Sequence, residues 1–280
     1  MDSIDPATDL QKDNIVTLSD ITSDNSSNIP SSIYFGGAGF GAAFYAGVYS
    51  AMVEKWGTDF YNHTILFGDS AGAIFSVGIA LGKTPECLNE MFRTFCMNTE
   101  KEGLIGNVNL LMERGIRDMI GDDTMAYKRI ENRCFIGSTS FFFKHVWQSS
   151  FESNEDLIRH MMYSCNIPIY FVKTPIMNMC KKVDGAGSFH YRDLPNANTT
   201  LCVRVVDERA DVWFTARDLG IIECYKPIVG NTYDEFFHHG RESMLNWNGN
   251  YNQKVDNIIP LRMGLVFLLW ITYAIDQLIH

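Results

Sequence analysis

A serine among small residues is the first feature of this sequence that could carry chemistry. Residues 68–72 read GDSAG and fit the pattern G-x-S-x-G, with Ser70 at its centre. The pattern follows a short apolar run that predicts a buried strand, and residues 73–81 predict an apolar helix after it. A serine between strand and helix is typical of a nucleophile elbow, in which Gly68 and Gly72 keep the turn tight.

The elbow interpretation has a plainer alternative, a Gly-Ser turn that only leads into a core helix. The helix N-terminus would nevertheless place free N–H groups beside Ser70, and these favour the negative charge that forms when a serine attacks a carbonyl. Other stretches of the sequence must therefore decide between a turn and a site.

A glycine-rich loop lies upstream of the serine. Residues 36–41 read GGAGFG, between a predicted strand over 32–35 and a predicted helix over 42–54. The dinucleotide pattern G-x-G-x-x-G is not met, because an alanine stands where its third glycine is required. Glycines with positive φ would instead let backbone N–H groups point at one oxygen atom, as in an oxyanion hole. The candidate donors are Gly37, Ala38 and Gly39.

An aspartate far downstream is a candidate base. Residues 184–187 read DGAG, and an Asp-Gly pair of this kind usually forms only a turn. A serine hydrolase needs a group that accepts the hydroxyl proton, and a carboxylate can do so when burial raises its pKa toward the working pH. Asp184 is therefore the candidate partner of Ser70.

The three motifs, in this order, resemble those of the patatin-like phospholipases over about residues 33–206. Residues 35–40, FGGAGF, are most similar to the adiponutrin and adipose triglyceride lipase branch, which also lacks a basic residue in this loop. The resemblance implies a three-layer α/β fold, with a largely parallel central sheet and helices on both faces. It also implies a Ser70–Asp184 dyad without a catalytic histidine, metal or cofactor.

Two residues depart from the family pattern. Asp69 stands where the animal members usually have a small residue, and a carboxylate pointing into the site would repel the oxyanion. We therefore expect Asp69 to face away from the site or to be paired. Asp193 stands where the family often has an asparagine, in a longer loop, which bears on the fine positioning of Asp184.

Composition limits the classes of function. The 280 residues are 46% hydrophobic, enough for one α/β domain with or without an appendage. A net charge of −10 argues against nucleic-acid binding and against purely electrostatic docking on anionic membranes. Seven cysteines without zinc-ligand spacing favour a reduced, intracellular protein, and no histidine spacing suggests a metal.

The sequence predicts three segments. Residues 1–31 are polar and acidic without the features of a signal peptide, and they predict a disordered tail. Residues 32–250 form the predicted acyl hydrolase domain. In residues 251–280 the apolar run 263–275 is shorter than the ~20 residues that span a bilayer, so it is either a core helix or membrane-associated.

Further elements are predicted from periodicity and capping residues. The predicted helices cover 87–97, 104–120 with breaks at Gly106 and Gly115, 155–164 after a cap at Ser153 or Asn154, and 232–246. The predicted strands cover 134–141 and 201–206, and residues 142–151 are expected to continue or pair with the first of these. Residues 141–143 and Trp147 are interpreted as sheet core, with a lipid-facing patch as the alternative.

Three functions remain open. The first is hydrolysis of a carboxylic ester in an acyl lipid, phospholipid or acylglycerol, at the cytoplasmic face of a membrane or on a lipid droplet. The second is an α/β-hydrolase esterase with a Ser-His-Asp triad that uses His238 or His239, although several strands precede the elbow in that fold and only one does here. The third is a non-catalytic lipid-binding scaffold of the patatin fold.

Overall fold

The computed structural model describes residues 29–104, 107–140, 144–167, 182–215, 221–254 and 256. The strands in these ranges are β1 Ser32–Phe35, β2 Ile65–Asp69, β3 Cys134–Ser140, β4 His145–Gln148, β5 Lys182–Asp184 and β6 Leu201–Val203. The α-helices are α1 Ala43–Trp56, α2 Ala71–Ala80, α3 Pro85–Glu102, α4 Val108–Ile120, α5 Ala126–Arg129, α6 Asn154–Ser164 and α7 Gly230–Asn246. Short 3₁₀ helices cover Gly39–Ala42, Phe60–His63, Gly185–Gly187, Tyr191–Asp193 and Ile221–Tyr225.

The strands form one mixed sheet in the order β4-β3-β2-β1-β6, with β5 also paired to β3. The pairs β1–β2, β1–β6 and β2–β3 are parallel, whereas β4 and β5 run antiparallel to β3. Parallel neighbours need a crossover, and α1 supplies the one between β1 and β2 while α2 to α5 lie between β2 and β3. The predicted three-layer α/β fold with a mostly parallel sheet flanked by helices is confirmed.

Strand β3 changes its partner along its length. Residues Cys134 to Gly137 pair with β2, and Ser138 to Ser140 pair with β5. Because β4 occupies the other edge of β3 as far as Thr139, β5 must pair on the edge that β2 has left. The end of β5 therefore lies beside the end of β2.

The strand residues alternate between the two faces of the sheet, as a pleated strand requires. One face packs on the helices and carries Ile33, Phe35, Leu66, Leu201 and Val203. The opposite face forms a second, smaller core made of Tyr34, Phe67, Phe189, Tyr191, Leu194, Cys202 and Ala210. The segment between β5 and β6 supplies Phe189, Tyr191 and Leu194, so the chain that follows β5 folds back over this second face.

Some sequence predictions hold and others are wrong. The cap at Ser153 is confirmed, because its Oγ accepts from the backbone N–H of Asp156 at 3.2 Å. The predicted pairing after β3 is also found as β4, and Trp147 packs in the second core against Phe67, with ring centroids 5.2 Å apart. A break at Gly115 is wrong, because α4 runs through it. Strand β6 ends at Val203 rather than 206.

Four predictions fall outside the described residues: the tail before residue 29, the helix break at Gly106, the aromatic run 141–143 and the apolar run 263–275. Within the described ranges, no helix has both the length and the apolar character that crossing a bilayer requires.

Candidate active site

Ser70 occupies a strained turn between β2 and α2. Its φ of 56° and ψ of −130° lie in a region that is otherwise nearly restricted to glycine, at a cost of about 1–3 kcal/mol. The two neighbouring glycines give the turn its space. A Cβ at Gly72 would lie 2.2 Å from the carbonyl oxygen of Phe35, and one at Gly68 would lie 2.5 Å from that of Gly72. The serine hydroxyl therefore stands at the N-terminus of α2, above the carboxyl end of β2.

Ser164 holds this turn from the side. The backbone N–H of Ser70 donates to Ser164 Oγ at 2.8 Å, and Ser164 is fully buried at the end of α6. This bond satisfies the N–H of the strained residue, so that donor is not free to bind an oxyanion. The sequence analysis missed Ser164, because a serine at a helix end gives no sign of a contact 94 residues away.

Asp184 lies opposite the Ser70 side chain at the end of β5. Its Oδ1 accepts from the N–H of Ala186 at 2.9 Å, its carbonyl oxygen accepts from Thr139 Oγ1 at 2.6 Å, and its N–H donates to the carbonyl of Asn166 at 2.9 Å. Backbone and side chain are therefore both restrained. The Ser70 side chain lies close enough to this carboxyl group to lower its pKa.

The environment of Asp184 changes its acidity. Part of the residue remains accessible, but protein atoms surround the carboxyl group, and this burial raises its pKa to about 7. Hydrogen bonds from Ser70 and from the Ala186 N–H oppose the rise, because they stabilise the charged form. A carboxylate with a pKa near neutrality can both accept and return a proton at physiological pH.

The glycine loop packs against Ser70 and against the turn that follows Asp184. A Cβ at Gly37 would lie 2.5 Å from the Cβ of Ala186 and 3.5 Å from that of Ser70, so loop, elbow and Asp-Gly turn converge there. Gly39 has a φ of +52°, as expected for the loop, and a Cβ on it would lie 2.3 Å from the carbonyl oxygen of Cys224. The same expectation is wrong for Gly37, whose φ is not positive; lack of space, not backbone angle, requires glycine there.

Two amides of the loop region are already used within the protein. Gly36 N–H donates to Val203 and Gly41 N–H donates to Ala38. Among the described residues, the amides of Gly37, Ala38 and Gly39 donate to no backbone oxygen outside a regular helix or strand. These three N–H groups are therefore candidate donors in the loop near Ser70.

The carboxylate of Asp69 is paired with two other side chains. Its Oδ2 accepts from the hydroxyl of Tyr34 and its Oδ1 bonds with His145 Nε2, both at 2.8 Å. The expectation that Asp69 is paired is confirmed. Asp193, the second departure, accepts from the N–H of His190 at 2.7 Å and so closes its own turn.

An apolar cleft opens beside Ser70. Cys165, whose thiol lies near the Ser70 side chain, forms part of its wall, and burial keeps the thiol protonated by raising its pKa. The cleft contains about 730 Å³ of space, the open solvent at its mouth included. Helices α2, α3 and α4 and the ends of two loops line it, through Ile74, Met91, Phe92, Phe95, Leu104, Val108, Met112 and Ile116 among others.

The other histidines and acidic groups lie elsewhere. His238 and His239 are on α7, where His239 packs against Phe214 and stands 3.8 Å from Glu242. The structure thus places Asp184, rather than either of these histidines, opposite Ser70. Within the described part of the chain, no group of three or more His, Cys, Asp or Glu side chains could hold a metal ion.

Comparison with known proteins gives a family match and several similar structures, two of which are described below. The sequence profile of the patatin-like phospholipase family matches residues 33–193. The crystal structure of the type III effector protein ExoU is similar at 12% identity and a TM-score of 0.44, covering 89% of this chain and 61% of that one.

The second structure is the heterodimeric ExoU–SpcU complex from the type III secretion system of Pseudomonas aeruginosa. It is similar at 14% identity and a TM-score of 0.43, covering 78% of this chain and 51% of that one. The chain thus spans between 51% and 61% of the length of these structures. No curated protein sequence matches it.

Proposed function

The chain belongs to the patatin-like phospholipase family, and from this premise we propose that it hydrolyses carboxylic esters of acyl lipids through Ser70 and Asp184. One observation carries the proposal: a serine on a strained turn at a helix N-terminus faces a carboxylate whose pKa burial raises to about 7. A nucleophile that faces its base in this way is the arrangement that activates a serine hydroxyl.

In the first half of the proposed reaction, Ser70 Oγ attacks the carbonyl carbon of the ester while Asp184 accepts the hydroxyl proton. The tetrahedral intermediate then expels the alcohol, to which Asp184 returns the proton, and the acyl group stays on Ser70. Water attacks this acyl-enzyme with Asp184 again as base, and the fatty acid leaves. Asp184 gives back each proton that it takes, so the proton transfers balance over the cycle.

The negative oxygen of each intermediate needs donors. The available amides of Gly37, Ala38 and Gly39 lie in the loop that meets Ser70, and the N-terminus of α2 adds a favourable dipole. The Ser70 N–H is bonded to Ser164 and is not one of these donors.

The apolar cleft fits the acyl part of the substrate. Its lining is almost wholly hydrocarbon and sulfur, and it begins at Cys165 next to the nucleophile. A fatty acyl chain in this cleft would gain from removal of its methylene groups from water, at about 0.8 kcal/mol each. The lipid is a phospholipid or an acylglycerol, met at a membrane or lipid-droplet surface.

Within the family we place the chain in the adiponutrin and adipose triglyceride lipase branch. The loop sequence FGGAGF over residues 35–40 and the missing basic residue in that loop support this placement. The triad alternative gains no support, because His238 and His239 lie on α7, where His239 contacts Phe214 and Glu242.

A fluorophosphonate probe tests the proposed function directly. We expect it to label the wild-type protein and the control Ser150→Ala, which changes an exposed serine, but neither Ser70→Ala nor Asp184→Asn. Incubation with a lipid extract, read by mass spectrometry, should release free fatty acids and identify the lipid consumed. A folded wild-type protein that takes no label and releases no fatty acid would establish the scaffold alternative instead.

A further inference from the structure

The proposed mechanism does not use one buried ionisable pair, which Asp69, the residue before Ser70, forms with His145. Asp69 and the side chain of His145 are both almost completely buried, with 0% and 1% exposure. Asp69 bonds with His145 Nε2 and with the Tyr34 hydroxyl, each at 2.8 Å, so both of its oxygens have a partner. The imidazole packs at 4.4 Å from the ring of Trp147 and 5.5 Å from that of Phe189. A buried pair with this many contacts has one defined position.

The pair lies directly beneath the turn that carries Asp184. A Cβ at Gly185, the next residue, would lie 2.3 Å from Asp69 Oδ1, and one at Gly137 would lie 1.8 Å from the same atom. The glycine of the Asp-Gly motif is therefore needed because the Asp69 carboxylate occupies the space of its side chain. The Asp69 carboxylate thus packs against the backbone next to Asp184.

Strand β3 explains why the three ionisable residues are neighbours. Three consecutive positions, Gly137, Ser138 and Thr139, pair with Asp69, Asp184 and His145 respectively. The three partners come from β2, β5 and β4, and they meet where β2 leaves the sheet. Because side chains alternate along a strand, this register puts Asp69 and His145 on one face of the sheet and Asp184 on the other, so the pair lies across the sheet from the Asp184 side chain.

We propose that the Asp69–His145 pair positions Asp184. The pair supports the turn that carries Asp184, and its two opposite charges act on the Asp184 carboxylate with opposite signs. The proposal rests on the proposed function, since Asp184 is the base there. It assigns no contact with substrate to either residue, because both side chains are buried.

The charged groups around the pair shift the pKa values of Asp184 and His145 in stated directions. After burial and the two hydrogen bonds, Asp69 raises the pKa of Asp184 and His145 lowers it. Burial disfavours the charged imidazole, but Asp69, with smaller contributions from Asp193 and Asp184, outweighs it and raises the pKa of His145 above its usual value. On the other sides, Tyr34 donates to Asp69, Arg204 acts on Tyr34, and Cys165 is a neutral thiol.

Loss of the imidazole alone should unbalance the site. The carboxylates of Asp69 and Asp184 would then share a buried region without a cation, and proton binding by Asp184 becomes more favourable. When Asn replaces Asp69 and Gln replaces His145, both side chains become neutral amides of similar shape. The charge of Asp69 is then removed together with the imidazole, and no uncompensated charge is left near Asp184. The second substitution should therefore reverse the electrostatic effect of the first, which a purely structural role does not predict.

The experiment measures kcat/KM for a short-chain soluble ester over about pH 5 to 9, where the acid limb reports the base of the free enzyme. We expect His145→Gln to move that limb about one unit to higher pH, and Asp69→Asn/His145→Gln to move it back toward the wild type. The matched control is His160→Gln, a half-buried histidine 3.8 Å from Asp156 on α6, and it should leave the limb in place.

Two results would overturn the proposal. One is a limb that stays in place in His145→Gln while melting temperatures fall, which means that the pair serves folding alone. The other is a limb that moves further in the double variant than in the single one.

A second measurement is independent of turnover. The His145 Cε1 signal is followed by NMR in Asp184→Asn, where the pKa of His145 should fall because coupling between two sites is reciprocal. If the wild-type protein hydrolyses no ester but the pKa of His145 still falls in Asp184→Asn, the proposed function is overturned and the coupling remains established. A His145 signal that is indifferent to Asp184→Asn overturns the inference itself.

Discussion

Asp184 lies opposite Ser70 because β5 pairs with the half of β3 that β2 does not reach. The turn at Ser70 takes the chain out of the sheet after Asp69, and the vacated edge of β3 accepts a strand from more than 100 residues later in the chain. The same strained turn thus exposes Ser70 and makes room for Asp184. Five predictions test this arrangement and its surroundings.

Removal of either member of the proposed dyad should abolish ester hydrolysis. We expect Ser70→Ala and Asp184→Asn each to lower kcat by at least about 10³-fold, because groups that act as one unit lose nearly everything together. Circular dichroism should show that both variants are folded. His238→Gln and His239→Gln serve as controls and should keep wild-type activity; a large loss in either would favour the triad.

Activity and stability should depend on pH in opposite senses. Asp184 must be ionised to act as base, so kcat/KM should fall as the pH drops through its pKa of about 7. The folded pKa lies above the unfolded value, so the folded state binds this proton more tightly and stability falls as pH rises from about 4 to about 7. The Asp184→Asn variant should not lose stability over this pH range.

The corresponding measurement is a thermal melt of Asp184→Asn and wild type at two pH values. We expect the variant to be more stable by roughly 1–3 kcal/mol near pH 8 and to show no such gain near pH 4. An equal difference at both pH values would mean that the environment of Asp184 does not oppose its charge.

The glycine loop should tolerate a methyl group at Gly37 only when space is made for it. Gly37→Ala places a Cβ 2.5 Å from that of Ala186 and should lower kcat by roughly 10²-fold by displacing the oxyanion donors. Addition of Ala186→Gly removes the obstructing atom and should recover much of the loss. Gly39→Val should not be rescued in this way, because a positive φ and the Cys224 carbonyl oppose it. If the double variant is as slow as Gly37→Ala, the contact with Ala186 is not the cause.

Ser164 should matter for turnover although it is remote in sequence. Ser164→Ala leaves the buried N–H of Ser70 without its partner, at a cost of about 1–3 kcal/mol, and loosens the turn. We expect a lower kcat with little change in KM, and partial recovery in Ser164→Thr, which keeps the hydroxyl. Ser76→Ala is a matched control, because Ser76 is a buried serine of α2 whose hydroxyl donates to Phe67. It should affect the melting temperature but not kcat.

The cleft should set the length of acyl chain that the protein accepts. Gly115 lines the cleft, and a Cβ there would meet no atom within 4 Å. Gly115→Leu should therefore fold and fill the cleft, which lowers kcat/KM for long-chain esters while short-chain esters react as before. Gly115→Ala is the control, and should raise stability by about 0.5–1 kcal/mol with little effect on chain length. An unchanged chain-length profile in Gly115→Leu would place the acyl chain elsewhere.

Short-range patterns were enough for several elements. The strand, turn and helix around Ser70 could be predicted because they depend on neighbouring residues: an apolar run, small residues at the turn, and a second apolar run. The cap at Ser153 follows from an equally local rule. Gly115 misled the prediction because α4 buries Ile116 and Met112 on one side, and that packing outweighs the propensity cost of one glycine.

The sequence by itself determined which residues could act, because Ser70, the glycine loop and Asp184 each lie in a motif whose backbone requirements are local. Only the tertiary structure decided which residues support them. Ser164, Thr139, His145 and the register of β3 enter through hydrogen bonds between positions far apart in the chain, and no periodicity predicts such pairs. The acidity of Asp184 was decided in the same way, since burial by residues from several elements sets its pKa.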